Sequence, residues 1–351
     1  MRIGMLGLQG AGKKTLFRLM TGVSAGVIPP KGLPGRFDVR DPRVDELSRI
    51  YRPEKTSYAR TDVLLLPDVE KTEGKAPWIE EVRNLDGLVC VARAFEDPSV
   101  FHPAGTVDVV RDMDAFMSEL LFADMVLLEK RAKALSNEMR SRRTPEKEKE
   151  LEVVRRLAKE LDSGATMRTV SLSAVERGAL QGYLFLTNKP VVAVVNVTQG
   201  ADLSPVRDAV AGTYGDDVPA AFFDAKLECE IADMADPAER AEFLEELGID
   251  EPAVAKLTRV IYDRLGLMSY FTVGADEVRA WTVRKGSTAP QAARVVHSDL
   301  ERGFIRVEVM RYRDLVELGG DVKVRESGRA MLKGKDYIVE EGDILSFRAA
   351  P

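Results

Sequence analysis

Glycines at positions 7, 10 and 12 precede two lysines and a threonine in the stretch Gly7-Leu8-Gln9-Gly10-Ala11-Gly12-Lys13-Lys14-Thr15. Glycines at this spacing let backbone N–H groups close around phosphate oxygens while the following lysine reaches the β- and γ-phosphates. Lys13 is that lysine. The next position ordinarily carries a Ser or Thr hydroxyl that ligates Mg²⁺, and here it is Lys14. Thr15 follows and can still donate to a phosphate. Two readings of Lys14 stand side by side. Its ammonium replaces part of the metal's charge against the phosphates, or it turns outward on the helix and the loop is a glycine-rich turn that binds nothing.

Such a loop works only between a strand and a helix. Arg2-Ile3-Gly4-Met5-Leu6 reads as a short buried strand, and Thr15-Leu16-Phe17-Arg18-Leu19-Met20 as the helix. Further strand-like apolar runs lie at Val63–Leu66, Gly87–Ala92, Val191–Asn196 and Ala221–Phe223, and runs of this kind suit a parallel sheet covered on both faces. The first half is therefore expected to be a three-layer α/β domain. It is interrupted where Met117, Leu120, Leu121, Leu127, Leu128 and Leu135 recur at helical spacing, followed by a charged stretch from Arg140 to Lys147 and a second helix bearing Leu151, Val154, Leu157 and Leu161. This predicts a helical hairpin with Thr144-Pro145 near its tip. The tip arginines could meet RNA phosphates, but Glu138, Glu146, Glu148 and Glu150 beside them make a solvated face the plainer reading.

The 351 residues suggest two or three domains, and 45 % hydrophobic content suffices for well-formed cores. A formal net charge of −6 argues against coating nucleic acid by bulk electrostatics. Apolar runs are short and the first is followed at once by Lys13 and Lys14, so neither a membrane span nor a secretory leader is expected, and the cytoplasm is the default location. Two cysteines, Cys90 and Cys229, make neither a disulfide framework nor a zinc cluster. His297-Ser298-Asp299 are adjacent in sequence, whereas a nucleophilic triad needs partners converging from separate elements, so His297 is expected to be satisfied by neighbouring backbone. No catalytic side chain is assigned.

The loop, Asp41–Leu47, Pro53-Glu54-Lys55, Arg93-Ala94-Phe95-Glu96-Asp97, Glu119-Leu120 with Ala123-Asp124, and Leu127–Lys130 together resemble the YchF/Obg-like ATPase family. The likeness runs almost end to end. It is strongest from about Gly266, where Tyr270–Gly274, Glu277–Thr282, Arg284-Lys285-Gly286, Ala289–Ala293 and Glu301–Ile305 are similar to that family's TGS domain. The resemblance implies a P-loop GTPase-type domain over residues 1–111 and 188–268, the inserted helical hairpin over 112–187, and a small β-grasp TGS domain over 269–351. It also implies association with ribosomes or translation. Independently, Trp281-Thr282-Val283 and Ile305–Val309 alternate as strands, and Gly334-Lys335-Asp336 and Glu341-Gly342-Asp343 read as turns. Arg279, Arg284, Lys285, Arg294 and Arg302 are candidate RNA or ribosome contacts.

Departures from the family pattern are informative. The segment from Thr21 to Gly35 is short and lacks the family's metal-ligating threonine. The family's Asp-x-x-Gly motif is replaced by Asp68-Val69-Glu70-Lys71, with no glycine until Gly74. With Lys14 this weakens three supports of Mg²⁺ and the γ-phosphate, and phosphoryl transfer depends on that charge neutralisation, so hydrolysis is expected to be slow or absent. Guanine selection in this fold uses the aspartate of an Asn-Lys-x-Asp motif. The matching stretch is Asn196-Val197-Thr198-Gln199, and the family's Ser-Ala-Lys loop is Asp224-Ala225-Lys226, which would put a carboxylate near the base. The expectation is ATP at or above GTP. Gly10, Ala11, Gly12, Lys13, Lys14 and Thr15 are then the candidate phosphate residues, with Asn196 and Ala225 near the base, and no residue is assigned to a metal. Two function classes follow: a slow purine-nucleotide switch, if active a slow ATPase or GTPase acting on the translation machinery, and a nucleotide-independent adaptor using the TGS domain and hairpin.

Overall fold

The computed structural model describes residues 2–69, 77–249 and 251–350. In chain order its elements are β1 (Arg2–Gly7), α1 (Lys13–Thr21), β2 (Leu33–Val39), α2 (Pro42–Tyr51), β3 (Lys55–Ser57), β4 (Ala59–Leu65), α3 (Trp78–Arg83) and β5 (Gly87–Arg93). There follow α4 (Val109–Ser141), α5 (Pro145–Asp162), α6 (Ala174–Ala179), β6 (Val191–Asn196), α7 (Ser204–Tyr214), β7 (Ala220–Phe223), α8 (Ala225–Asp233), α9 (Pro237–Glu246) and α10 (Ala253–Arg264). The last part holds β8 (Leu267–Thr272), β9 (Glu277–Arg284), α11 (Ala289–Val296), α12 (Ser298–Arg302), β10 (Phe304–Arg311), α13 (Tyr312–Leu318), α14 (Asp321–Glu326), β11 (Met331–Lys333) and β12 (Asp343–Ala349). Contacts divide the chain into two units, Met1–Gly35 with Asp62–Val254, and Arg36–Thr61 with Ala255–Pro351.

In the first unit β4, β1, β5, β6 and β7 lie side by side in that order, with β2 beside β4, and each of the four contacts from β4 to β7 is parallel. Successive side chains of a strand point to opposite faces. Leu6, Leu64, Leu88, Cys90, Ala193 and Val195 share one buried cluster with Trp78 and Ile79 of α3, Met113, Phe116 and Leu120 of α4, and Val210 of α7. The intervening Met5, Val63, Leu65, Val89, Val91, Val192 and Val194 are equally buried, so both faces are covered, as the continuous apolar runs require. The Cys90 thiol sits inside this core, where burial pushes its pKa up to about 12 and leaves it protonated.

The inserted hairpin is α4 and α5, joined by residues 142–144. Thr144 caps α5 by accepting from the Lys147 N–H, and Pro145 occupies the first turn, where its missing N–H has no cost. The hairpin carries its own core of Leu128, Leu135, Leu151, Val154, Leu157 and Leu161, closed by Met167, Leu180 and Phe185. Asp124 ties its base to the chain returning toward β6. One carboxylate oxygen accepts from the Leu186 N–H at 2.8 Å, and the other accepts from the Thr187 N–H at 2.8 Å and the Thr187 hydroxyl at 2.7 Å. Asp124 is fully buried, and that burial raises its pKa against the pull of these donors.

The second unit orders its strands β11-β10-β12-β8-β9-β3. The hairpin β8–β9 is antiparallel, β12 lies parallel to β8, and β10 pairs antiparallel with β12, the arrangement of a β-grasp. Helix α11 supplies Ala289, Ala292 and Ala293 to a core with Met268, Tyr270, Val283, Val307 and Leu345. Two segments that the sequence reading placed in the phosphate-loop domain, 36–61 and 255–268, group with this unit by their contacts, although β2 and the start of β4 belong to the other sheet. The reason is local: β3 adds to the edge of β9, with Lys55 opposite Glu277. The Arg43 guanidinium of α2 sits 5.1 Å over the Phe271 ring while pairing with Asp41 and Glu341. The Tyr262 hydroxyl of α10 bonds Thr282 at 2.9 Å.

The Asp124 clamp makes a direct prediction. Replacing Asp124 by Ala strands two buried backbone N–H groups, so stability should fall by roughly 2–5 kcal/mol. Urea unfolding followed by Trp78 fluorescence, with Trp281→Phe as background, measures it; a loss under about 1 kcal/mol would show that the clamp contributes no more than an ordinary surface contact.

Candidate functional site

At the carboxyl ends of the parallel strands, β1 gives way to the turn Leu8–Gly12 and then to α1. Gly10 and Gly12 have φ of 78° and 96°, a left-handed conformation that favours glycine. Space demands glycine as well. A Cβ on Gly12 would lie 2.5 Å from Asn196 Nδ2, and one on Gly10 would lie 2.6 Å from the Phe101 carbonyl oxygen. No side chain caps α1 and its first turn carries no acid, so its leading N–H groups and the positive end of the helix dipole face the turn. Lys13 is only 3 % exposed. Its ammonium donates to the Leu8 carbonyl at 3.2 Å and pairs with Asp68 at the end of the β4 segment. Burial holds the Lys13 pKa below the usual lysine value, while Asp68 pulls it back up.

Asn196 at the end of β6 connects this turn to the next wall. Its Nδ2 donates to the Ala11 carbonyl at 3.3 Å and its Oδ1 accepts from the Ala225 N–H at 3.1 Å. Ala225 opens α8. Between these segments lies a cavity of about 550 Å³ whose lining includes Thr15, Phe95, Val100, Asn196, Ala225 and Cys229. On the other side of the loop a cavity of about 1180 Å³ is bordered by Gln9, Asp68, Phe101, Asp108, Asp112 and Phe122. Asp112 of this lining has one carboxylate oxygen 2.9 Å from His102 Nε2, and the Arg111 guanidinium donates to the other. The first unit thus offers a backbone cradle with a buried ammonium next to a cavity large enough for a heterocycle.

The family model YchF-GTPase_C, described as a protein of unknown function (DUF933), matches residues 267–350. Over 362 residues the chain is 36 % identical to the ribosome-binding ATPase YchF of Haemophilus influenzae, covering 99 % of this chain and 98 % of that protein. It is 31 % identical over 376 residues to Obg-like ATPase 1 of Saccharomyces cerevisiae, covering 99 % and 94 %. The chain belongs to the YchF/Obg-like ATPase family. The solved YchF GTPase of Schizosaccharomyces pombe superposes with a TM-score of 0.84 at 29 % identity, over 99 % of this chain and 97 % of that one.

Against the YchF pattern, Lys14 turns outward: it is exposed, and its ammonium donates to the Gly26 carbonyl at 2.7 Å. This is the second of the two geometries open to it. Asp68, the aspartate of the rewritten second loop, is engaged by Lys13, and Glu70, Lys71 and Gly74 lie outside the described residues. Asp224 is the residue expected to bring a carboxylate near the base. Asp224 borders the cavity, but its oxygens cap α8 by accepting from the Lys226 and Leu227 N–H groups and bind the Gln199 N–H at 2.7 Å. His297 behaves as a loop histidine, accepting from the Asp299 N–H at 3.3 Å.

Gly10, Ala11, Gly12, Lys13, Thr15, Asn196 and Ala225 come together, and Lys14 does not join them. Of the candidate contacts in the second unit, Lys285 pairs with Asp263, Arg294 with Glu301 and Arg302 with Asp299, while Arg279 stacks on Trp281 at 3.9 Å. At the hairpin tip Lys147 pairs with Glu138 and Arg143 with Glu148, as a solvated face of mixed sign would. The sequence reading named Arg93 and Phe95 only within a family motif and gave them no role, and it missed the Arg18–Cys229 contact at 3.0 Å.

Because Asp68 holds Lys13, a phosphate must displace that carboxylate. Asp68→Asn should therefore raise affinity for inorganic triphosphate in metal-free buffer by roughly 2- to 5-fold, the worth of a partly exposed ion pair. Calorimetric titration reads this directly, and a drop in affinity would show that Asp68 helps rather than competes.

Proposed function

We propose that this YchF-family chain binds a purine nucleotide, ATP at or above GTP, and works with the ribosome in the cytoplasm as a regulatory factor whose hydrolysis is slow or absent. The observation that carries the reading is the Asn196 bridge, which sets the glycine cradle of Lys13 at a fixed distance from the cavity lined by Phe95 and Ala225. Gly10, Ala11, Gly12, Lys13 and Thr15 hold phosphate in this reading. Ribosome binding is taken from the names of the relatives, with the C-terminal unit acting as a TGS domain that meets RNA or protein.

Weak guanine selection is supported by two facts. Gln199 is neutral, and the Asp224 carboxylate already accepts from three backbone N–H groups, so neither is set up as a free carboxylate for the paired donors of a guanine edge. Slow turnover is supported by the donor set around the cradle, which does not fit Mg²⁺. The position of the usual hydroxyl ligand holds an ammonium aimed at Gly26, and the nearest carboxylate, Asp68, neutralises Lys13. Without a bridging cation the leaving-group charge is met only by backbone N–H groups and Lys13, which suits binding better than transfer.

That same Lys13–Asp68 pair favours a second reading, in which the cradle is self-neutralised and the chain is a nucleotide-independent adaptor. Titration of nucleotide-stripped protein with ATP and GTP, each with and without Mg²⁺, separates the two. Saturable ATP binding that survives chelation and is lost in Lys13→Ala supports the switch, and no binding at millimolar nucleotide supports the adaptor. Rapid Mg²⁺-dependent ATP hydrolysis abolished by Lys13→Ala would remove the slow-turnover half, and failure to co-sediment with ribosomes in either nucleotide state would remove the ribosomal half.

A further inference from the structure

Arg93 closes β5 and is only 2 % exposed, among the largest fully buried side chains of the chain. A guanidinium is charged at any ordinary pH, and burying it costs several kcal/mol unless partners offset the loss of water. Its partners are sparse. Nη1 donates to the Val100 carbonyl at 3.2 Å, the Phe95 ring lies 5.5 Å from the guanidinium carbon, and Nε has no hydrogen-bond partner. A methionine would fill this space without that cost, so the charge and the fork are what the position uses.

What they hold is informative. Phe95 and Val100 both line the 550 Å³ cavity, forming a wall distinct from the Asn196–Ala225 side. The segment between them closes on itself: Asp97 accepts from the Ser99 N–H and hydroxyl, and the Val100 N–H donates to the Asp97 carbonyl. This small turn rests directly on the phosphate loop. A Cβ on Gly10 would meet the Phe101 carbonyl at 2.6 Å, Val100 Cγ1 at 3.1 Å and Arg93 Nη1 at 3.6 Å. Arg93 also stands opposite Asn196 in the β5–β6 register, so neighbouring strand ends each fasten one wall of the cavity to the same loop.

We propose that Arg93 is a positioning residue for the nucleotide: it pins the 95–101 turn onto the phosphate loop at Gly10 and so pre-forms the base-side wall, touching neither base nor phosphate itself. The proposal rests on the nucleotide-binding reading for its consequence and on the contacts of Arg93 for its mechanism. A wall held in place before binding spares the nucleotide the cost of ordering it. The consequence is selective, because only ligands with a base use the wall.

The experiment compares wild type, Arg93→Met and Arg93→Lys in the full chain, with thermal melts as the check on folding. In metal-free titrations, Arg93→Met should weaken ATP about 10-fold or more while leaving inorganic tripolyphosphate within about 2-fold, and Arg93→Lys, which keeps a charge and a donor, should fall between. Equal losses for both probes, or unchanged ATP binding, would overturn the proposal. Hydrogen exchange without nucleotide tests the brace separately: amides of residues 95–101 should exchange faster in Arg93→Met and less so in Arg93→Lys, and unchanged protection overturns the brace whether or not nucleotide binds. A wild type that binds tripolyphosphate but not ATP defeats the nucleotide reading and overturns the affinity consequence, while exchange still decides the brace. If Arg93→Met does not fold, Arg93→Lys carries both comparisons.

Discussion

The amide of Asn196 is the contact on which the site depends. A carboxamide offers a donor and an acceptor in one plane, and here each is spent on the backbone of a different segment, Ala11 of the phosphate loop and Ala225 at the start of α8. The side chain is buried, so both bonds form where water does not compete and an unmet amide would be costly. The parallel sheet beneath delivers Asn196 to this point, because open α/β sheets gather their loops at the carboxyl ends of their strands.

Charge around the cradle is arranged differently from what a metal-dependent site needs. Three cationic or anionic groups lie within reach of the turn, yet Lys13 and Asp68 neutralise each other and Lys14 is drawn off to the Gly26 carbonyl. A buried ammonium without Asp68 would be still more depressed in pKa than burial already makes it. The pair therefore keeps Lys13 charged in the absence of an anion, at the expense of competing with one. Arg93 adds a further cation under the same loop with few hydrogen-bond partners, which is why its place in the fold is informative.

Away from the site, buried polar clamps join segments whose apolar patterns alone would leave their register open. Asp124 fastens the hairpin to the returning chain, and Asp343 does comparable work in the second unit, accepting from Arg311, Tyr337 and the Glu340 N–H. Such groups are costly when half satisfied and specific when fully satisfied.

The sequence by itself determined the strand–turn–helix of the phosphate loop, the apolar strands of the parallel sheet and the two helices of the hairpin. Each of these is written in local periodicity, glycine spacing or a cap such as Thr144-Pro145. It also carried the family resemblance through motifs that are continuous in the chain. Tertiary structure alone decided the rest, because the deciding contacts join residues far apart in sequence. Segment 36–61 joins a β-grasp more than 200 residues away through Ser57 and Glu277, 220 apart. Lys14 donates to the Gly26 carbonyl, and Asp224 accepts from the Gln199 N–H 25 residues before it. Arg93 reads in sequence as the charged end of a strand, and only the packing of the 95–101 turn on Gly10 shows that it is buried and what it holds.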